Sequence, residues 1–230
     1  MEDRIIKFNQ SLAKTCAGHI VDIVFCIDGT ESHKEVLASA KRRIPRFFED
    51  LYCSYLSTHR WINQLRCRIV LFRNYLADGQ HALLATDFFL LPQQEKDFIE
   101  CLNGIQAEGG GDPLEDGLEA LAYAIKSSWT VAPSRKRHII VVLTDADAHP
   151  LGYGSDSQYY PKGMPPNLAE LEDWWENGMD EHAKRLVLIA PNTGHWSWIS
   201  ENWSQTWLVP QEQLDETVYH ELVSMLTTAM

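Results

Sequence analysis

Apolar runs and amphipathic stretches alternate along the chain. Three runs are apolar on both faces, at residues 19–28, 138–145 and 185–190, and runs of this kind are typical of buried parallel strands. Residues 36–55 carry apolar side chains at three- and four-residue spacing around Pro45, which predicts a long helix that bends at the proline. The pattern therefore predicts parallel strands connected by helices.

The segments between these runs complete the alternation. Residues 67–75 and 86–91 are predicted strands, and the turn signal Asp78-Gly79 between them predicts an antiparallel hairpin on the sheet edge. A long loop rich in glycine, proline and tyrosine is predicted at 148–167. Further helices are predicted at 94–104, from Pro113 to about residue 129, at 168–183 and at 214–226, with a short strand at 206–209.

Apolar strands that alternate with amphipathic helices predict an α/β sandwich. We expect a Rossmann-like arrangement, with a mostly parallel central sheet, one antiparallel edge strand and helices on both faces. No linker or internal repeat divides the 230 residues, a length that suffices for one full core. The prediction is a single domain over residues 1–230, with its core at about 18–229.

Composition and charge restrict the possible partners. Lys and Arg number 20 against 32 Asp and Glu, for a net charge of −12, so we expect no binding to nucleic acid or to anionic membranes. No apolar run is long enough for a membrane span, and the first ten residues contain no apolar signal core. The five cysteines form no CxxC pair, which favours a reducing, cytoplasmic location.

Polar residues that suit a metal ion follow two predicted strands and a glycine-rich loop. In open α/β sheets, ligands bind beyond the carboxyl ends of the strands, where three carboxylates would repel one another. A divalent cation would relieve this repulsion, and hard oxygen donors suit Mg²⁺, or else Mn²⁺ or Ca²⁺. The oxygen donors concerned belong to Asp28, Thr30, Ser32, Asp112 and Asp145.

These residues resemble the metal-ion-dependent adhesion site of von Willebrand factor A domains. The resemblance rests on Asp28-x-Thr30-x-Ser32, on Asp112 after three glycines and on Asp145 after an apolar strand, and it covers about residues 18–229. Thr30 stands where the family usually has serine, and Asp112 where it usually has threonine. The Gly-Gly-Gly-Asp sequence, followed by proline and glutamate, is similar to the subgroup that includes domains attached to alpha-kinases.

The resemblance implies a metal-dependent protein-binding module and not an enzyme. It implies that Asp28, Thr30, Ser32 and Asp112 hold the cation directly or through water, and that Asp145 holds a coordinated water. A glutamate or aspartate from a protein partner would then occupy the open coordination position. The expected rim that contacts this partner consists of Glu31, His149, Tyr153, Tyr159 and Tyr160.

Other interpretations stay open at this point. A magnesium-dependent phosphoryl-transfer hydrolase of the haloacid dehalogenase type also places an aspartate after its first strand, but it expects a second aspartate where Thr30 stands. A structural module of the same fold with a degenerate metal site is a third possibility. The polar residues are also good helix caps: Ser32 for the first helix, and Asp112 with Glu115 as a capping box for the helix from Pro113.

Overall fold

The structure is a computed structural model that describes residues 18–57, 60–131, 135–210 and 223. Its strands are β1 (His19–Asp28), β2 (Ile62–Phe72), β3 (Leu83–Ala85), β4 (Phe89–Leu91), β5 (Leu114–Glu115), β6 (Lys136–Leu143), β7 (Asp147–Ala148), β8 (Lys184–Ile189) and β9 (Thr206–Val209). Its helices are α1 (Lys34–Ser57), α2 (Tyr75–Asp78), α3 (Glu95–Gly104), α4 (Gly117–Ile125), α5 (Leu168–Glu176) and α6 (Gly194–Asn202), with a 3₁₀ turn at Gly79–His81.

A sheet of seven strands forms the centre of the part of the molecule that the structure describes. Six strands follow in the order β3-β2-β1-β6-β8-β9, and the seventh, β4, pairs with β2. Strands β2, β1, β6, β8 and β9 are parallel, whereas the short strands β3 and β4 both pair antiparallel with β2 and together form one edge. Strand β1 lies between β2 and β6, and helices pack on both faces of the sheet, so nearly all of its residues are buried. The predicted α/β class with a mostly parallel sheet and one antiparallel edge is confirmed.

Two apolar clusters lie on opposite faces of the sheet. Phe25 of β1 packs with Phe48 of α1 and Phe98 of α3, and its neighbour Val24 belongs to the other cluster, with Trp196 of α6. Successive strand residues point to opposite faces of the sheet, so Phe25 and Val24 pack against helices on different faces. Within the described residues, no helix combines the length and apolar character that a membrane crossing requires.

The predicted antiparallel pairing at the sheet edge is confirmed by β2 and β3, but the tight turn predicted at Asp78-Gly79 is wrong. Strand β2 ends at Phe72, and the side chain of Asn74 then accepts hydrogen bonds from the backbone N–H groups of Leu76 (3.0 Å) and Ala77 (3.1 Å). This capping starts helix α2, so the connection between β2 and β3 begins with a helical turn that ends at Asp78. The antiparallel edge is instead divided between β3 and β4.

The helix predicted from Pro113 begins four residues later. Asp112 Oδ1 accepts a hydrogen bond from Leu114 N (2.9 Å), and Leu114 and Glu115 then pair with β7 as a short parallel strand. This extended segment places Asp116 at the N-cap of α4, so the predicted capping box of Asp112 and Glu115 is wrong. Helix α5 is also shorter than predicted, and the helix predicted at 214–226 lies outside the described residues apart from position 223.

Candidate metal centre

Asp28 is the last residue of β1, and its carboxylate is held by three hydrogen bonds. Its Oδ1 accepts from the backbone N (2.9 Å) and the hydroxyl (2.6 Å) of Thr30, and its Oδ2 accepts from the hydroxyl of Thr144 (2.7 Å). The Thr30 hydroxyl also lies 3.1 Å from that of Ser32. The Asp-x-Thr-x-Ser segment therefore gathers its oxygen atoms around one buried carboxylate, whose side chain is fixed from both sides.

Asp145 reaches the same place from the neighbouring strand. Strands β1 and β6 pair in parallel up to Ile27 and Leu143, so the residues that follow emerge side by side. The Asp145 carboxylate lies 3.4 Å from Nδ1 of His33, and interaction with that ring holds the pKa of the Asp145 carboxyl below its ordinary value, although burial acts in the opposite direction. The side chain of Asp145 remains 31% exposed, which leaves the group accessible to solvent.

Asp28, His33 and Asp145 can serve one metal ion. Each offers one ligand atom, and the three atoms lie within 4.8 Å of one another. Ligands that bind one ion at about 2.1 Å are at most about 4.2 Å apart, so small side-chain adjustments suffice to enclose an ion. Carboxylate and imidazole are both common ligands of divalent metals, and the donors present therefore fit such an ion.

His33 was not among the ligands predicted from the sequence, because the prediction considered only oxygen donors. The available signal was a histidine directly after the Asp-x-Thr-x-Ser segment, at the start of a helix whose inner stripe is apolar. In the structure this side chain is completely buried, and neither ring nitrogen makes a hydrogen bond of good geometry with a described residue.

Asp112 lies at the same end of the sheet but in a different set of interactions. Its Oδ1 lies 3.0 Å from Nε2 of His149, whose Nδ1 lies 3.0 Å from Oδ1 of the buried Asp116. Burial raises the pKa of Asp116, and bonds from Tyr75 N and His149 oppose that rise. The structure thus ties the Asp112 carboxylate to an imidazole and leaves Asp28 and Asp145 as the two carboxylates of the group of three.

An open cleft of about 440 Å³ lies beside the Asp-x-Thr-x-Ser segment and Asp112. Gly109 and Gly110 both have positive φ, at 76° and 90°. A Cβ on Gly110 would come within 3.3 Å of Thr30 Cβ and of Glu115 Oε1, so the glycines let the loop close over the motif. The cleft is lined by Thr30, Ser32, Gly109, Gly110, Gly111, Asp112, Pro113 and Glu115.

Glu115 was expected only as a capping-box residue, and the structure places it at the cleft. Its side chain is buried, and Oε2 has no hydrogen-bond partner among the described residues. Burial raises the pKa of Glu115 to about 9, and the charges of Asp28 and Asp116 add to the rise. This direction favours the protonated form of Glu115 at neutral pH, at the wall of the cleft.

The predicted rim residues occupy two kinds of position. Glu31 is exposed, and Tyr153 stacks on His149 with ring centroids 3.9 Å apart while 47% of its surface stays exposed. Tyr159 is equally exposed. Tyr160 is half-buried, and its hydroxyl donates a hydrogen bond to Glu119 Oε1 (2.9 Å). Among the three tyrosines, Tyr153 and Tyr159 therefore offer the larger contact area.

No protein-family model matches the chain, and no curated protein matches it. The chain is similar to the pilus adhesin SpaC from Lactobacillus rhamnosus GG in its open conformation, with 15% sequence identity and a TM-score of 0.41, over 56% of this chain and 15% of the adhesin chain. It is also similar to proximal thread matrix protein 1 from the mussel byssus, with 14% identity and a TM-score of 0.48, over 92% of this chain and 46% of that chain. The chain thus spans less than half the length of either structure, and similarities this distant define neither its family nor its function.

Proposed function

We propose that this chain is a metal-dependent protein-binding module of the von Willebrand factor A type. In this proposal a divalent ion, Mg²⁺ or else Mn²⁺ or Ca²⁺, sits at the carboxyl end of the sheet and accepts a glutamate or aspartate from a protein partner. The observation that carries the proposal is the convergence of Asp28, His33 and Asp145 within 4.8 Å, in the segment whose Thr30 and Ser32 line an open cleft. When bound, the ion supplies positive charge and an open coordination position.

The charges of the proposed ligands leave room for an acidic partner. The carboxylates of Asp28 and Asp145 balance the two charges of the ion, and Asp112 is paired with His149. If all three carboxylates coordinated the ion, the site would carry a net negative charge and would repel a further carboxylate. With Asp112 held by His149, an incoming carboxylate meets no excess of negative charge at the ion.

The rim would add contact area around this anchor. Tyr153 and Tyr159 are exposed on the loop between β7 and α5, and tyrosine is common at protein interfaces because it combines an apolar ring with a polar hydroxyl. Stacking of Tyr153 on His149 fixes the tyrosine ring next to Asp112.

We place the module in the cytoplasm, since cysteines 26, 53, 67 and 101 are all free thiols.

Capture of a partner tests this function. The tagged protein is expected to retain its partner in millimolar-scale Mg²⁺ or Mn²⁺ (an order-of-magnitude choice) and to lose it in chelator or with Asp28→Ala. The expected loss of affinity is on the order of tenfold or more, because the metal supplies the anchor. Asp97→Ala, an equal charge change at an exposed position on α3, serves as the control.

Cross-linking would then locate the acidic residue of the partner, and its change to the amide should weaken binding as much as chelation does. If wild type retained the partner equally well in metal and in chelator, and Asp28→Ala retained it too, metal-mediated recognition would be contradicted. The structural module with a degenerate metal site would then be the better interpretation.

A phosphoryl-transfer hydrolase is the second candidate, and one observation favours it. Glu115 has its pKa raised to about 9 near Asp28, so a protonated acid stands close to a carboxylate of the kind that serves as nucleophile in such enzymes. Thr30 stands where these enzymes expect their second aspartate, which favours the binding module.

We therefore expect no metal-dependent hydrolysis of an aryl phosphate such as p-nitrophenyl phosphate by the purified protein. The assay would overturn this ranking if turnover appeared with Mg²⁺ and disappeared in both Asp28→Asn and Glu115→Gln.

A further inference from the structure

His33 is a buried imidazole whose one close polar contact among the described residues is a long one to Asp145. It is 0% exposed, and in the part of the chain that the structure describes neither Nδ1 nor Nε2 makes a hydrogen bond of good geometry. Its nearest charged neighbour is Asp145, whose Oδ1 lies 3.4 Å from Nδ1, at the long limit for a hydrogen bond. Buried polar atoms are nearly always satisfied in proteins, so each exception calls for a reason.

The backbone around His33 holds the ring in this position. The N–H of His33 donates to the carbonyl of Thr30 (3.2 Å), and its own carbonyl accepts from Leu37 N (2.8 Å). The residue therefore closes the turn after Asp28 and starts helix α1. The motif and the histidine form one short rigid segment, and a ring nitrogen comes to lie within 4.8 Å of the ligand oxygens of Asp28 and Asp145.

We propose that His33 is a nitrogen ligand of the metal and that the site takes a first-row transition ion, such as Mn²⁺, Co²⁺ or Zn²⁺, in preference to Mg²⁺ or Ca²⁺. The inference rests on the proposed metal site and deepens it by stating the chemistry of the ion. Mg²⁺ and Ca²⁺ take oxygen donors almost entirely, whereas imidazole suits transition ions. A neutral imidazole also adds a ligand without adding negative charge, which preserves the balance with an acidic partner.

Burial makes the alternative role for His33 less favourable. An ion pair with Asp145 would require a fully buried imidazolium that gains only one contact of 3.4 Å, and a buried charge is costly unless it is well hydrogen-bonded. A metal ion would satisfy one ring nitrogen directly, and Asp145, which is partly exposed, gives the ion a route from solvent.

The test begins with the wild-type protein, so that no variant has to fold. Pulsed electron paramagnetic resonance of the Mn²⁺-loaded protein should show coupling to a directly bound ¹⁴N nucleus. His33→Leu, which fills the buried space without a donor atom, should abolish that coupling. It should also lower the affinity for Mn²⁺ on the order of tenfold or more, whereas the affinity for Mg²⁺ should change much less. His182→Leu removes an exposed imidazole and should leave both the coupling and the affinities unchanged.

The outcomes separate this inference from the proposed function. A Mn²⁺ signal without nitrogen coupling in wild type, or coupling and affinity that persist in His33→Leu, would show that His33 only packs or pairs beside the site. In that case the proposed metal-dependent binding function would still hold, provided that Asp28→Ala removes the bound ion. If wild type bound neither Mn²⁺ nor Mg²⁺ by calorimetry, the inference and the proposed function would both fail.

Discussion

Asp28→Ala is expected to abolish the stabilisation that a divalent ion gives to the folded protein. An ion that binds only the native state adds about 2.7 kcal/mol to the free energy of unfolding at a concentration 100 times its Kd. For a chain of about this size, each kcal/mol raises Tm by roughly 2–4 °C, so the wild-type Tm should rise by about 5–10 °C. The variant should show no rise, because Asp28 is the buried carboxylate around which the other donors are arranged.

Thermal unfolding followed by circular dichroism, with Mn²⁺ or Mg²⁺ and with chelator, measures this effect. Each variant is compared with itself in chelator, since Asp28→Ala also removes hydrogen bonds to Thr30 and Thr144. Asp28→Asn keeps the shape of the side chain and should lose most of the shift, whereas Asp97→Ala should keep all of it. A metal-induced shift of equal size in Asp28→Ala would place the ion elsewhere in the protein.

Glu115→Gln is expected to make the metal-free protein more stable at alkaline pH. The pKa of Glu115 is raised from 4.5 to about 9 in the folded state, so the folded protein keeps a proton that the unfolded chain has lost. The free energy of unfolding therefore falls as pH rises between these two values. Since one pKa unit corresponds to 1.36 kcal/mol, the loss has an upper limit of about 6 kcal/mol over the whole range. Glutamine is neutral at every pH and avoids this loss.

Urea unfolding in chelator at pH 5 and at pH 8.5 tests the effect. Wild type and Glu115→Gln should unfold at similar urea concentrations at pH 5, and the variant should require markedly more urea at pH 8.5. Asp116 and Glu119 also have raised pKa values, so the difference between the two proteins, and not the slope of either, isolates Glu115. Glu35→Gln, at an exposed position on α1, should follow wild type at both pH values. If the urea concentration at which the protein unfolds changed equally between the two pH values in wild type and in Glu115→Gln, Glu115 would be ionised in the folded protein.

Much of the fold was predictable because burial on both faces leaves a clear pattern. The apolar runs that became β1, β6 and β8 contain few polar residues, and a strand inside a parallel sheet has no solvent-facing side that would require them. The long periodic stretch that became α1 was equally clear, and the helix continues through Pro45. These are properties of single segments, and a local pattern is enough to reveal them.

The errors occurred where a local pattern competed with a contact made elsewhere in the chain. Pro113 and Glu115 read as the start of a helix, but pairing with β7, more than thirty residues later, draws Leu114 and Glu115 into an extended conformation. Asp78-Gly79 read as a hairpin turn, but the cap supplied by Asn74 makes a helical turn first. In both places a hydrogen bond from a side chain or a distant strand overrode the preference of the residues themselves.

The sequence by itself determined the class of fold and the end of the sheet at which oxygen donors collect, because parallel strands bring their carboxyl ends to one edge. Only the tertiary structure decided which of these donors lie close together. It joined Asp28 and Asp145 through the pairing of β1 with β6, added the buried His33 and tied Asp112 to His149. The physical reason is that the grouping of donors depends on separations of a few ångströms between side chains distant in sequence. It also depends on burial, which leaves His33 Nδ1 and Nε2 and Glu115 Oε2 without a good hydrogen bond among the described residues. Neither quantity is a property of any single segment of the chain.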